Sequence, residues 1–142
     1  MPQVVLDANV LIAARLKRDS NHERATPITD GIDRGTLPSA VILNDVLAET
    51  LNYLNERAGH AVAVRTLDAL IESSGFEIVR STKSDFDAGR SLFRTYEKLS
   101  LIDGVIAAHM QRTGRNYLYS FDDDFDTVEH ITRLETADNP FA

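Results

Sequence analysis

Five short apolar, β-prone runs alternate with longer stretches of helical period, and this order constrains the fold more than any other feature of the chain. Val4-Val5-Leu6, Ala40-Val41-Ile42-Leu43, Phe76-Glu77-Ile78-Val79, Asn116 to Ser120 and Ile131 to Leu134 read as strands. Between them, apolar residues recur at helical spacing. They are Val10, Leu11 and Ala14, then Ala25, Ile28 and Ile32, then Val46, Leu47, Leu51 and Leu54. Val64, Leu67 and Ile71 follow on one face, and then Ala88, Leu92, Phe93 and Tyr96. The last such stretch, Leu101 to Met110, is apolar nearly all round and should be buried. Strands that alternate with helices favour a parallel sheet covered by helices on both faces, an α/β class in three layers.

Local signals place the element ends. Ser20 with Glu23, Ser84 with Asp87 and Ser100 with Asp103 have the spacing of a capping box. Asn44 is a further N-cap candidate, Gly35 and Gly114 stand where C-caps belong, and Gly59 marks a break. No repeat or linker divides the chain, so residues 1–142 are expected to form one domain, with a loose tail from about 138.

Composition removes several chemistries. The chain has no cysteine, which excludes disulfides, cysteine-ligated zinc and a cysteine nucleophile. The N-terminus runs straight into a strand-like segment, so export and membrane spanning are not expected and a cytoplasmic location is. Net charge is −7. Gripping nucleic acid by charge alone calls for a basic surface, so any RNA binding here needs a local basic patch or metal ions to offset the phosphates.

The acids carry the chemical signal. Asp7 stands where an apolar strand gives way to a helix, and in parallel α/β sheets ligands bind beyond the carboxyl ends of the strands. Capping of the following helix is an equal reading of Asp7. Asn9 can contact a ligand or brace Asp7. Asp103 sits among Leu99, Ile106 and Ala107, where an unpaired carboxylate is costly and a cation would remove the cost. Its capping-box role is compatible with that. Glu49 lies near the edge of an apolar stripe and by local pattern is a solvated helix glutamate, while Asp45, Glu56 and Glu72 read as surface acids. Asp122-Asp123-Asp124 follows a strand end, and three adjacent acids repel one another. Asp122 is the best placed of them to face inward, with Asp124 next. A set of oxygen donors without cysteine suits Mg2+ or Mn2+. His22, His60, His109 and His130 show no metal-binding spacing, and there is no nucleophile motif or Gly-rich phosphate loop.

Taken in order, these acids give the chain a resemblance to the PIN-domain family, as in VapC-type toxin ribonucleases. It rests on Val4-Val5-Leu6-Asp7-Ala8-Asn9-Val10-Leu11, on Val46-Leu47-Ala48-Glu49, on Leu99 to Ala108 around Asp103, and on Ser120-Phe121-Asp122-Asp123-Asp124-Phe125. The resemblance implies a PIN-like five-stranded parallel sheet of order 3-2-1-4-5. It also implies that Asp7, Glu49, Asp103 and Asp122 meet at one end of the sheet to hold Mg2+ or Mn2+, with Asp124 as a fifth acid. The implied activity is metal-dependent endoribonuclease cleavage by the toxin of a toxin–antitoxin pair, with an antitoxin partner and a homodimer. Gly104 departs from the alanine common after the third acid, and Asp123 stands where relatives often carry a basic or polar residue.

Candidate RNA contacts are Asn9, Arg15, Lys17 and Arg18, with Arg90 and Arg94 in a stripe that continues to Lys98. Arg112 and Arg115 lie further on. Each arginine has the alternative of pairing with a nearby surface acid. Rival readings are a non-catalytic PIN module that only binds RNA or protein, and a haloacid-dehalogenase-like phosphatase. The latter needs a second acid where Asn9 stands.

Overall fold

β1 (Val4–Leu6) is three residues long and wholly buried, because strands packed on both sides of it and helices on both faces leave it no solvent edge. The structure, a computed structural model, describes residues 2–142. After β1 come α1 (Ala8–Arg15), α2 (His22–Arg34), β2 (Ala40–Leu43), α3 (Asn44–Arg57), α4 (His60–Glu72) and β3 (Phe76–Val79). The second half holds α5 (Lys83–Thr95), α6 (Leu101–Thr113), β4 (Tyr117–Tyr119), a 3-10 turn at Asp123–Thr127 and β5 (Thr132–Leu134). All strand pairings are parallel and the order is β3-β2-β1-β4-β5, the order the sequence resemblance implied. The edge strands keep polar residues such as Glu77 and Thr132, as half-exposed strands should. No helix among the described residues is long and apolar enough to cross a membrane.

As its composition predicted, α6 is buried from Gly104 through Met110. It lies so close to α5 that a Cβ at Gly104 would stand 2.4 Å from the Gly89 carbonyl oxygen. Here a side chain has no room, which accounts for glycine at 104. The same helix pair buries Asp85, whose carboxylate accepts from Arg112 Nε at 2.7 Å and Nη2 at 3.0 Å. Burial pushes the Asp85 carboxyl up, but the Arg112 bonds outweigh it and the acid ends below its usual value.

Some local expectations are corrected. The box expected at Ser84 and Asp87 forms instead between Thr82 and Asp85, because Asp85 is drawn inward to Arg112. Asp87 pairs with Lys83 and Arg90 on the surface. Ser20 does not cap α2; Asn21 is the cap residue and makes no side-chain cap bond, while Asp19 accepts from the Asn21 amide at 2.8 Å. Asn44 is the first residue of α3, and its Oδ1 accepts from the Ser81 amide at 2.8 Å. On α4 the buried face is Ala63, Thr66 and Leu70, one residue round from the expected stripe, and Ile71 is 62% exposed. On α5, Phe93 is exposed where an inward position was expected. Tyr119 donates its hydroxyl to the Asp138 carbonyl at 2.6 Å, and Phe141 packs edge-on against Tyr117 at 5.3 Å.

Candidate metal centre

The pairing of β1 with β4 fixes the centre of the site. Leu6 is in register with Tyr119, and the Asp7 amide donates to the Tyr119 carbonyl at 3.0 Å. Asp7 and Ser120 therefore leave the sheet side by side at its carboxyl end. Asp7 has extended backbone and caps α1, its Oδ1 accepting from the Ala8 amide at 2.8 Å. Capping and facing the crevice thus coexist in one residue.

Ser120 is fully buried and uses its hydroxyl completely. It donates to Asp7 Oδ2 at 2.7 Å and accepts from the Asp122 amide at 3.0 Å and Asn9 Nδ2 at 3.2 Å. Asn9 also donates to Asp7 Oδ2 at 3.3 Å and accepts from the Phe121 amide at 3.2 Å. Asn9 and Ser120 together lock the end of β1 to the end of β4. Asp122 Oδ1 then accepts from the Asp124 amide at 2.9 Å and opens the 3-10 turn.

Two further elements bring the remaining acids. Asp103 is the third residue of α6, in a reciprocal box with Ser100, with bonds of 3.1 Å in each direction. Glu49 comes from α3. Asp7, Glu49, Asp103, Asp122 and Asp124 all line one cavity of about 610 Å3, with Asn9 and Ser100 beside them. Lys98 is the one cation in its lining among the described residues.

The electrostatics show crowding. Burial first, then the charges of Asp103 and Glu49, raise Asp7 from 3.8 to about 7 against the opposing bonds from Ser120 and Ala8. Burial and the Asp103 charge raise Glu49. Asp103 is raised by burial and by Asp122 and Asp124, against its bonds to Ser100. Asp124 is raised by desolvation and by Asp122. Carboxylates that raise one another in this way fit a bound dication, and the all-oxygen donor set fits Mg2+ or Mn2+. Asp122, Asp123 and Asp124 can also bring one oxygen each within 4.8 Å of one another. Asp123 is exposed and outside the cavity, while Asp122 and Asp124 also line it.

Other candidates lie elsewhere. Arg15 ends α1 and lines a separate cavity with Asp30 and Thr66. The eight residues of α1 put it about 12 Å along the helix from the Asp7 end. Lys17, Arg18, Arg90 and Arg94 are exposed outside the acidic cavity, and Arg90 is held by Asp87 and lies over Phe86. Arg112 is committed to Asp85, and Arg115 donates to Gln3 at 2.7 Å. Sequence reasoning missed Ser120 as a positioning residue; its signal was a small hydroxyl at the strand end, two residues before Asp122. It also missed Asn52, Tyr53 and Glu56, which line the cavity from α3. Their spacing of three, four and seven residues from Glu49 was the available clue.

The family model of the PIN domain matches residues 4–131. No curated protein matches the chain. Among solved structures, the chain is similar to VapC20 of Mycobacterium tuberculosis, described as a toxin that cleaves the sarcin–ricin loop. That match has TM-score 0.76 and 23% identity, covering 87% of this chain and 93% of that one. VapBC2 of Rickettsia felis, bound to a promoter DNA fragment, gives TM-score 0.70 and 16% identity over 93% of this chain and 97% of that one. A toxin–antitoxin complex from Klebsiella pneumoniae gives TM-score 0.63 and 17% identity over 96% and 98%.

Proposed function

The chain belongs to the PIN-domain family, and from that premise we propose that it is a Mg2+- or Mn2+-dependent endoribonuclease, the toxin of a toxin–antitoxin pair. One observation carries the reading: six carboxylates, Asp7, Glu49, Glu56, Asp103, Asp122 and Asp124, from four parts of the sequence line one cavity, and the most buried of them is raised to about 7. A module that only bound RNA would gain nothing from gathering negative charge where the phosphates must come.

Asp7, Asp103, Asp122 and Glu49 would hold the ion, with Asp124 at the margin. The bound ion supplies a Lewis acid that lowers the pKa of water and offsets charge on the phosphoryl oxygens. Asp7 Oδ2 already accepts two hydrogen bonds, so Oδ1, with one, is the oxygen left to ligate. Ser120 and Asn9 hold that carboxylate in place. Glu49 is exposed at the cavity wall, where a carboxylate oxygen not given to the ion could take a proton from the attacking water. The water oxygen bonds to phosphorus, the bond to the 3′-oxygen breaks, and that oxygen takes a proton from solvent. The products are a 5′-phosphate and a 3′-hydroxyl. Lys98 draws the phosphate toward an otherwise negative cavity.

Relatives solved as toxin–antitoxin complexes support a protein partner that restrains the activity, and a homodimer and a cytoplasmic location go with this reading. The test is cleavage of a panel of structured RNAs by the purified chain, with Mn2+ or with EDTA. Metal-dependent cleavage by the native chain that is lost in Asp7→Asn and Asp103→Asn supports the proposal. Undiminished cleavage by both variants would exclude this site.

A further inference from the structure

We propose that Tyr53, with the Arg57 guanidinium over one face of its ring, is the platform on which a nucleobase next to the scissile phosphate stacks. The inference rests on the ribonuclease reading and deepens it. Tyr53 is the one aromatic side chain among the described residues lining the acidic cavity, and it is 38% exposed. It lies one helical turn after Glu49 on the same face of α3, about 6 Å along the axis. One unstacked nucleotide bridges that distance.

Arg57, one turn further, lies with its guanidinium carbon over the Tyr53 ring, 5.1 Å from the centroid, so it covers one face and a base would stack on the other. It forms no ion pair among the described residues, so its charge is free for a flanking phosphate. The arrangement answers a problem set by charge. A chain of net charge −7 with an acidic cavity cannot hold RNA by general electrostatic attraction. Stacking on an aromatic ring supplies affinity that does not depend on the sign of the surroundings. A base inside a duplex is already stacked, so such a platform selects loops, bulges and single strands.

The test uses short single-stranded RNAs carrying 2-aminopurine at each position in turn, bound to the full chain in Ca2+, with cleavage assayed separately in Mn2+. One position should be quenched by the native chain. Tyr53→Phe should keep the quench. Tyr53→Ala should lose it and bind roughly ten-fold or more weaker, the scale of one base–aromatic stack. An abasic nucleotide at the quenched position should weaken the native chain by the same factor and leave Tyr53→Ala no worse. The circular dichroism melt should be unchanged, since the substitution falls at an exposed helix position. Unchanged quench and affinity in Tyr53→Ala, in a chain that binds and cleaves RNA, would overturn the platform alone. A native chain that neither binds nor cleaves any RNA would overturn the ribonuclease reading with it.

Discussion

Asp7→Asn should make the metal-free protein more stable at pH 8 and less able to bind metal. Asp7 is 5% exposed, and its carboxyl is raised from 3.8 to about 7, chiefly by burial. An acid raised in the fold keeps a proton that the unfolded chain has already released. Unfolding then releases a proton between those pH values, and stability falls as pH rises through the window. At about 1.4 kcal/mol for each tenfold change in proton affinity, the loss is about 4 kcal/mol, complete above pH 7. Asparagine has no proton to lose and can still cap α1 through its carbonyl oxygen. The Ser120 bond to the charged carboxylate is already part of that net shift, but the asparagine amide makes the Ser120 hydroxyl turn and meets the Asn9 amide donor, which costs about 2 kcal/mol. The net gain of about 2 kcal/mol corresponds to a melting point about 6 °C higher for a chain of this size. Thermal unfolding by circular dichroism in EDTA reads this directly. The advantage should reverse to a deficit of about 2 kcal/mol near pH 4, where the native Asp7 is neutral in the fold and only the cost of the substitution is left. A variant that melts below the native protein at pH 8, or an advantage independent of pH, would refute the reasoning.

Three further outcomes follow from the same contacts. Mn2+ affinity, measured by calorimetry, should rise as pH increases toward 7 and above, with proton release on binding, because the ion displaces the proton held on Asp7; affinity flat from pH 5.5 to pH 8 would speak against Asp7 as a ligand. Ser120→Ala removes a bond that lowers the Asp7 carboxyl and orients it, and should weaken Mn2+ binding roughly 10- to 100-fold without loss of fold; unaltered affinity would deny Ser120 its positioning role. Gly104→Ala puts a Cβ 2.4 Å from the Gly89 carbonyl oxygen and should destabilise by about 2 kcal/mol or more, read in urea unfolding; a native-like midpoint would mean that α5 and α6 can separate at no cost.

The parallel, helix-covered sheet and the acids at the strand ends were legible from the alternation of elements, which short apolar runs mark clearly, whereas the strand order came only from the family resemblance. Asp7 and Asp122 needed only the end of a strand to place them. Glu49 had no such local mark, and only the family resemblance singled it out. The cap of α5 was misplaced because its position depends on Arg112, 27 residues away, pulling Asp85 inward. The buried face of α4 was missed because Ala63 and Thr66 are small and weakly apolar, while Val64 and Ile71 look like core and are exposed. Tyr53 and Glu56 share the face of Glu49, but a periodic pattern does not say which neighbour a helix face meets. The basic residues after α1 stand near Asp7 in sequence, yet one helix length separates Arg15 from it in space.

The account stands on these acids forming a single dication site, and crystals grown with Mn2+ test that most directly through anomalous diffraction. The predicted result is a peak bonded to carboxylate oxygens of both Asp7 and Asp103. Crystals saturated with Mn2+ that show a peak only on the exposed Asp122–Asp124 turn, or none in the cavity, would contradict it.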